Sequence, residues 1–340
     1  MDRWILAIAD DLTGALEVGA KFAGGGYAAC VTTATETVAP PDVPVLVVDT
    51  ESRHLPEMDA RAVVRKIAEQ LRDFRPWLVY KKTDSTLRGN IAAELRGLLD
   101  VFSDKSIVYA PAYPAMGRVV RSERLFVHGV PVHETAFAND PLNPIRDSHV
   151  PTVLGAVPAV VVDGESDSDV RDVARRACGS ETPPLLAGPA ALAGALVDFV
   201  PLSRGRVRPL PQVPRCLVVN GSLHPVSAAQ IEFARDHGCF ENGWRLFEHE
   251  GLSGGGVDRA LRTGELVHDF VGKSPMDAVV VFGGDTAFGI HHDFGAPAFD
   301  SYDEVYSGVP LSRCGDLFWI TKAGGFGDRN LLCEIRRRLT

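Results

Sequence analysis

Residues 4–14 read Trp4-Ile-Leu-Ala-Ile-Ala-Asp-Asp-Leu-Thr-Gly14, six apolar residues that stop at two carboxylates, a hydroxyl and a glycine. A short apolar run closed by polar residues is the pattern of a strand buried on both faces of a parallel sheet. A helix-like segment follows it through residue 15. The same cadence recurs where 43–48 runs into 49–53, 77–80 into 81–90 and 107–110 into 111–118. Val- and Ile-rich runs alternating with helical patterns predict βαβ units and a mostly parallel sheet. Helices are predicted over 60–74, through Val63, Val64, Ile67 and Leu71, and over 91–102, through Ile91, Leu95, Leu98, Leu99 and Phe102.

A proline- and arginine-rich stretch, 201–214, interrupts the alternation and reads as a stiff, extended linker. Strand patterns restart at 216–219, 277–282 and 317–321, with a helix-like 227–237 and a flexible glycine-rich loop at 251–256. The expected fold is therefore α/β in two domains, residues 1–208 and 215–340, with the boundary near residue 210. Each is expected to carry a mostly parallel sheet flanked by helices, with ligand sites at the carboxyl ends of the strands.

The composition, 45% hydrophobic and 23% charged, is that of a soluble globular chain and excludes disorder and collagen-like repeats. Lys and Arg number 35 against 44 Asp and Glu, a net charge of −9, which disfavours nucleic acid as a partner. Small anions remain open to local cationic groups. No apolar stretch approaches the roughly 18–20 residues that span a bilayer, and the amino-terminal apolar run is too short for a secretory signal. Cys30, Cys178, Cys216, Cys239, Cys314 and Cys333 are scattered without a CxxC pair, the usage of reduced structural thiols. The expected location is the cytoplasm, with no membrane partner.

Chemistry is expected where strands end. Asp10 and Asp11 close the first strand, and neighbours on a strand point to opposite faces. One of them can orient a ligand or act as a base while the other caps the next helix, the plain alternative being capping alone. Residues 81–90, Lys-Lys-Thr-Asp-Ser-Thr-Leu-Arg-Gly-Asn, pack two ammonium groups, a guanidinium, three hydroxyls and a carboxylate into one turn. Such a turn can hold a carboxylate through Arg88 or a lysine, and sugar hydroxyls through Asp84 and Ser85. Its plain alternative is a solvated turn capped by Ser85 or Thr86.

In the second half, Asn220-Gly-Ser222, Gly283-Gly-Asp-Thr-Ala287 and Lys322-Ala-Gly-Gly-Phe-Gly327 each follow a predicted strand. One such turn is weak, but three together favour backbone N–H groups converging on phosphates. None has the P-loop or the GxGxxG spacing. His291-His292-Asp293 reads as a surface turn, and no metal site is predicted. Asp-Leu-Thr lacks the second aspartate of an aspartyl phosphatase, and no GxSxG elbow occurs.

Ile8-Ala-Asp-Asp-Leu-Thr-Gly-Ala15, Lys82-Thr-Asp-Ser-Thr-Leu-Arg-Gly-Asn90, Pro111-Ala-Tyr-Pro-Ala-Met-Gly-Arg118, Val127-His-Gly-Val-Pro-Val-His-Glu-Thr135 and Asp140-Pro-Leu-Asn-Pro144 resemble the four-carbon acid sugar kinases. Gly221-Ser222, Gly283-Gly-Asp-Thr-Ala287, Gly308-Val-Pro310 and Thr321-Lys-Ala-Gly-Gly-Phe-Gly327 resemble that family's nucleotide-binding domain, so the match runs from residue 5 to about 328. The resemblance implies phosphorylation by ATP, with Mg²⁺, of a sugar acid such as threonate, erythronate or an oxo relative, in the cleft between the domains. It assigns Asp10, Asp11, Lys82, Asp84, Ser85 and Arg88 to the acid, and Ser222, Gly283, Gly284, Asp285, Thr286, Gly324 and Gly325 to ATP. On the same reading Asp11 or Asp84 is the base, and Arg118 and Lys322 are further cations for the transferring phosphoryl group. Sugar acid and ATP are the expected partners, with a homodimer left open. Only about 60 residues separate Gly221 from Gly283, fewer than the family pattern leads one to expect. The runner-up reading is accordingly a non-catalytic acid-binding relative that has lost productive ATP binding.

Overall fold

The computed structural model describes residues 3–34, 38, 42–248 and 256–340. The first half runs β1 (Ile5–Ala9), α1 (Leu12–Gly24), β2 (Ala29–Thr33), β3 (Val45–Asp49), α2 (Glu57–Arg72), β4 (Leu78–Lys82), α3 (Ile91–Leu99) and β5 (Ile107–Tyr109). A small antiparallel sheet follows, β6 (Arg118–Arg121), β7 (Arg124–Val127) and β8 (Val130–Pro131). Then come α4 (Val150–Leu154), β9 (Ala159–Val161), α5 (Asp167–Cys178), β10 (Leu185–Gly188) and α6 (Ala190–Leu196). The second half runs β11 (Cys216–Asn220), α7 (Pro225–Asp236), β12 (Trp244–Leu246), α8 (Gly256–Lys273), β13 (Ala278–Phe282) and α9 (Gly284–Asp293). It closes with β14 (Phe299–Tyr306), β15 (Val309–Cys314), β16 (Leu317–Lys322) and α10 (Leu331–Leu339).

The strands of the first half are parallel in the order β2-β3-β1-β4-β10-β5-β9, and those of the second begin β12-β11-β13-β16 in parallel. β15 and β14 then add antiparallel, and β14 pairs with β2 through Phe299 with Val31 and Asp300 with Cys30. Each half thus carries its own mostly parallel run, and the two are welded into one thirteen-stranded sheet. The period-two rule is visible on β13, where Val279 and Val281 join the core shared with the first half. Ala278, Val280 and Phe282 join a second core with Ile231 of α7 and Leu332 and Ile335 of α10.

The linker 201–214 forms no regular element and is tied down along its length. Arg204 donates to Tyr27 Oη and the Val197 carbonyl, and Arg208 grips Asp300. Three predicted helical segments are not helices. Residues 49–53 and 81–90 are extended or turning, with left-handed backbone at Glu51 (φ 45°), Leu87 (φ 67°) and Gly89 (φ 86°), which a right-handed helix excludes. Residues 111–118 form a 3-10 turn over Pro114–Met116 that leads into β6. The loop read at 251–256 lies outside the described residues apart from Gly256, which opens α8.

Two further expectations are corrected. His291 is not on a surface turn but fully buried in α9, its Nε2 2.8 Å from the Pro297 carbonyl and its ring against Phe299. Cys239 and Cys333, 94 residues apart, form a disulfide across a Cα separation of 6.0 Å, joining the turn after α7 to α10. Chain folding brings together what the spacing left scattered. Among the described residues no helix is long and apolar enough to cross a membrane. Denatured, unreduced protein is expected to titrate four thiols with a chromogenic disulfide reagent, the four unpaired cysteines. Six before reduction would remove the pairing.

Candidate active site

The turns that follow β1, β3 and β4 meet at the guanidinium of Arg53. Its Nε lies 2.7 Å from Asp10 Oδ2, its two terminal nitrogens each 2.9 Å from an Asp11 oxygen, and Nη2 is 3.8 Å from Asp84 Oδ2. Asp11 also caps α1, accepting from the Gly14 N–H at 3.1 Å and the Thr13 hydroxyl at 2.7 Å. Of the pair, Asp11 is the member that caps the helix. Burial works to raise the Asp11 pKa, but Arg53 and Lys82 outweigh it and hold the group below the usual range. Asp10 is buried behind Arg53, and its Oδ1 has no hydrogen-bond partner among the described residues.

Asp84 is committed to its own turn. It accepts from the Thr86 N–H at 2.8 Å, the Thr86 hydroxyl at 2.5 Å and Arg88 Nη2 at 2.8 Å. Against the cost of burial, Arg88 and Arg53 hold its pKa well below the usual range. Arg88 reaches Asp140 as well, at 3.2 Å, so two carboxylates already share its charge. Lys82 is different. It is buried and lines the cavity, and its ammonium has no hydrogen bond or ion pair within 4 Å among the described residues. Arg118 also faces the cavity, bonded to the Met116 carbonyl but with its Nε unpartnered among the described residues, and burial pushes its pKa down. Lys81 points the other way, into a buried pair with Glu94 at 3.0 Å; Glu94 in turn accepts from Ser52 and so braces the 50–53 turn from below.

Across the cavity the three glycine turns stack side by side. Gly283 has φ 110°, and a Cβ on Gly221 would come within 1.8 Å of Thr286 Oγ1, so neither position admits a side chain. Gly283 precedes α9 with no side-chain cap, leaving the first N–H groups of that helix without an intrahelical partner at the cavity wall. A Cβ on Gly284 would sit 3.4 Å from Thr13 Oγ1 and 3.7 Å from Asp11 Oδ2, so the α9 amino terminus abuts the α1 cap. One cavity of about 410 Å³ takes in both motifs, with Asp11, Lys82, Asp84, Ser85, Arg88 and Arg118 from the first half. Ser222, Gly283, Gly284, Asp285, Thr286, Gly324 and Gly325 line it from the second.

Asp10 and Lys322 do not line that cavity. Lys322 turns its ammonium onto the carbonyls of Ala323, Gly324 and Phe326, at 2.8–3.2 Å, and burial pushes its pKa down to about 7. With Gln230, which donates to three carbonyls over 326–328, it shapes the third glycine turn from behind. The sequence reading missed Arg53, Glu51 and His54, which follow β3 as Asp10 and Asp11 follow β1; that position was their only signal. It also missed Glu17, whose carboxylate accepts from the Tyr113 hydroxyl at 2.9 Å, and His224, which caps α7.

Removing Arg53 leaves Asp10 and Asp11 without their counter-ion. Arg53→Ala is expected to cost about 3–5 kcal/mol in urea unfolding, the usual loss when a buried pair is broken; a loss under about 1 kcal/mol would deny Arg53 this place. Asp11 and Asp84 have folded pKa values depressed below 3.8, so their stabilisation is complete above that value and is lost as pH falls through the lower folded one. The thermal midpoint of the wild type is expected to fall steeply below about pH 4 and that of Arg53→Ala less so.

The family of the sugar-binding N-terminal domain matches residues 5–157. A D-threonate kinase of Bordetella bronchiseptica is 33% identical, with 99% of this chain and 97% of the relative aligned. That alignment spans 396 residues against 340 here, so the relative carries stretches this chain lacks. A D-threonate kinase of Salmonella typhimurium is 28% identical over 97% of both chains. Among solved structures, one from Salmonella typhimurium described as a putative tRNA synthase superposes with a TM-score of 0.82 at 19% identity, covering 99% of each chain, a likeness of fold alone. Another, from Bordetella bronchiseptica with bound citrate and described as a domain-swapped dimer, has a TM-score of 0.54 at 30% identity, covering 100% of this chain and 98% of its own. Sequence likeness over nearly the whole length of a named relative settles the kinship: the chain belongs to the four-carbon acid sugar kinases.

Proposed function

We propose that this protein is an ATP-dependent kinase that phosphorylates a four-carbon sugar acid, held by residues 1–208, with a nucleotide held by residues 215–340. The observation that carries the reading is the meeting of an uncapped helix amino terminus with an uncommitted ammonium in one cavity. The α9 N–H groups suit phosphate oxygens, because helix amino termini favour anions. Lys82 suits a substrate carboxylate, since a buried ammonium that makes no hydrogen bond among the described residues gains most from a charge-assisted one. Arg118 adds positive charge on the same wall. Ser85, with no hydrogen bond among the described residues, is free for a sugar hydroxyl.

Phosphoryl transfer asks mainly for positioning and charge stabilisation, which this arrangement supplies. Mg²⁺ in such sites is held chiefly by phosphates and one or two carboxylates and neutralises phosphate charge. The residues fit that habit. No three carboxylate, imidazole or thiol groups gather into a metal centre among the described residues, while Asp285, half exposed in the first turn of α9, is a carboxylate placed for the role. The domain-swapped dimer of the Bordetella relative supports a homodimer here, for which light scattering is expected to give about twice 36.6 kDa. Cytoplasmic action belongs to the same reading.

The shortened second half favours one competing reading, an acid-binding protein without transfer. Release of ADP screened over threonate, erythronate and oxo-tetronates separates the two. Lys82→Ala is expected to raise the KM for the acid by about 10–100-fold, the loss of a hydrogen bond worth about 1.5–3 kcal/mol. Gly284→Val is expected to weaken ATP binding in calorimetry while acid binding persists. Acid binding with no heat from ATP–Mg²⁺ at millimolar concentration would decide for the binding protein.

A further inference from the structure

The kinase reading, on which this inference rests, gives Asp285 the task of meeting Mg²⁺ beside the phosphates. Asp285 is the second residue of α9, and its side chain stands 52% exposed at the cavity wall. Among the described residues its one ion-pair or hydrogen-bond partner within 4 Å is His54, whose Nε2 lies 3.7 Å from Oδ1. Arg53 and Arg88 act on it from farther away. His54 belongs to the turn after β3 and Asp285 to the second half, so the contact crosses the cavity that both residues line.

His54 is held from two sides. The Asn90 side-chain amide donates to the Ser52 and Leu55 carbonyls, at 2.9 and 2.8 Å, and pins the backbone of the turn. Asn143 Nδ2 lies 2.8 Å from His54 Nδ1. An amide NH₂ group only donates, so Nδ1 accepts and the ring proton sits on Nε2, the nitrogen nearer Asp285. Asn143 is itself placed by its N–H, which donates to Asp140 at 2.8 Å, and Arg88 grips Asp140 at 3.2 Å. Residues of the first half thus fix the ring in position and in tautomer.

Folding stability does not account for this. An exposed pair contributes little to it, and a ring fixed in tautomer is more than such a pair requires. What the arrangement supplies is an N–H of set direction facing a carboxylate of the other half. At 3.7 Å the two are slightly beyond hydrogen-bond distance, a gap that a small turn of either exposed side chain closes. Carboxylates that hold a metal ion are commonly oriented by donors of this kind, and loss of the donor weakens the metal.

We infer that His54 is a positioning residue for the nucleotide–Mg²⁺ complex, its Nε2–H steadying Asp285 from across the cavity while Asn143 sets the tautomer. One oxygen of Asp285 is then engaged by His54 and the other is left for the cation. The nucleotide site draws this support from the half that holds the acid.

The test is calorimetry with ATP–Mg²⁺, with metal-free ATP and with the acid, alongside the thermal midpoint. His54→Ala is expected to weaken ATP–Mg²⁺ about 10-fold, the low end of what outer groups contribute at metal sites. Metal-free ATP and the acid are expected to bind within about twofold of wild type, and the midpoint to shift by less than about 3 °C. His54→Gln, whose amide N–H can reach the place of Nε2–H, is expected to recover most of the loss, and Asn143→Ala to reproduce about 2–5-fold of it. In an Asp285→Asn background His54→Ala is expected to add less than about twofold, because its effect runs through that carboxylate.

The inference is overturned if His54→Ala keeps ATP–Mg²⁺ affinity within about twofold, or weakens metal-free ATP or the acid in parallel, the mark of a turn loosened around Arg53. Losses that multiply in the double variant overturn it equally. Should His54→Ala not fold, an Asn143→Ala protein with unchanged ATP–Mg²⁺ affinity has the same force. A wild type that binds the acid but gives no heat with ATP–Mg²⁺ at millimolar concentration instead fails the kinase reading, and that failure is seen before any substitution is made.

Discussion

A guanidinium with three carboxylates around it is an arrangement in which no member can be removed alone. Asp10, Asp11 and Asp84 end neighbouring strands of a parallel sheet, where strand geometry forces their charges together. Two or three buried negative charges at such separations repel and tend to take up protons. Arg53, from the turn after β3, cancels that repulsion and fixes the direction of each carboxylate. Because Arg53 and Arg88 take up the carboxylates' hydrogen bonds, Lys82 makes none among the described residues, though it lies within electrostatic reach of Asp11 and Glu17. The uncommitted charge of the site is thus a product of how the rest is paired. Beneath it Lys81, Glu94 and Ser52 repeat the principle in a wholly buried layer that holds the 50–53 turn.

The second half makes its contribution through backbone more than through side chains. The α9 amino terminus, the Gly221–Ser222 turn and the Gly324–Gly325 turn pack against one another so closely that glycine is required where they touch. Lys322 and Gln230 serve this packing by occupying carbonyls that otherwise would be buried without donors. Asp11 and Thr13 stand at the seam, since the helix they cap lies against the helix that Gly283 opens.

Most of this was legible in the chain because the informative residues sit where apolar runs stop. Ile5–Ala9, Leu78–Lys82 and Ala278–Phe282 are fully buried strands, and their ends carry the motifs read from them. What was illegible has physical reasons. Arg53 and Glu51 stand in a segment that resembles the start of a helix, but Glu51 is left-handed and the Thr50 and Arg53 N–H groups donate to the Ala9 and Asp10 carbonyls instead. The roles of Lys322 and Lys81 depended on which buried partners each ammonium reaches, the 323–326 carbonyls for one and Glu94 for the other, and those come from distant parts of the fold or from the turn beyond the strand. The partnership of Cys239 with Cys333 and the burial of His291 are tertiary facts with no local signature.

The pairing of β14 with β2 has a consequence for how the molecule meets its neighbours. Two separate sheets would expose four lateral edges, each a row of unpaired N–H and C=O groups able to recruit a strand from another chain. Joined, the thirteen strands expose two, β12 and β9, and each is only three residues long. A template that short offers few hydrogen bonds to an intruding strand. The junction that brings the two halves of the cavity together therefore also removes the edges along which a protein so rich in valine strands would otherwise aggregate.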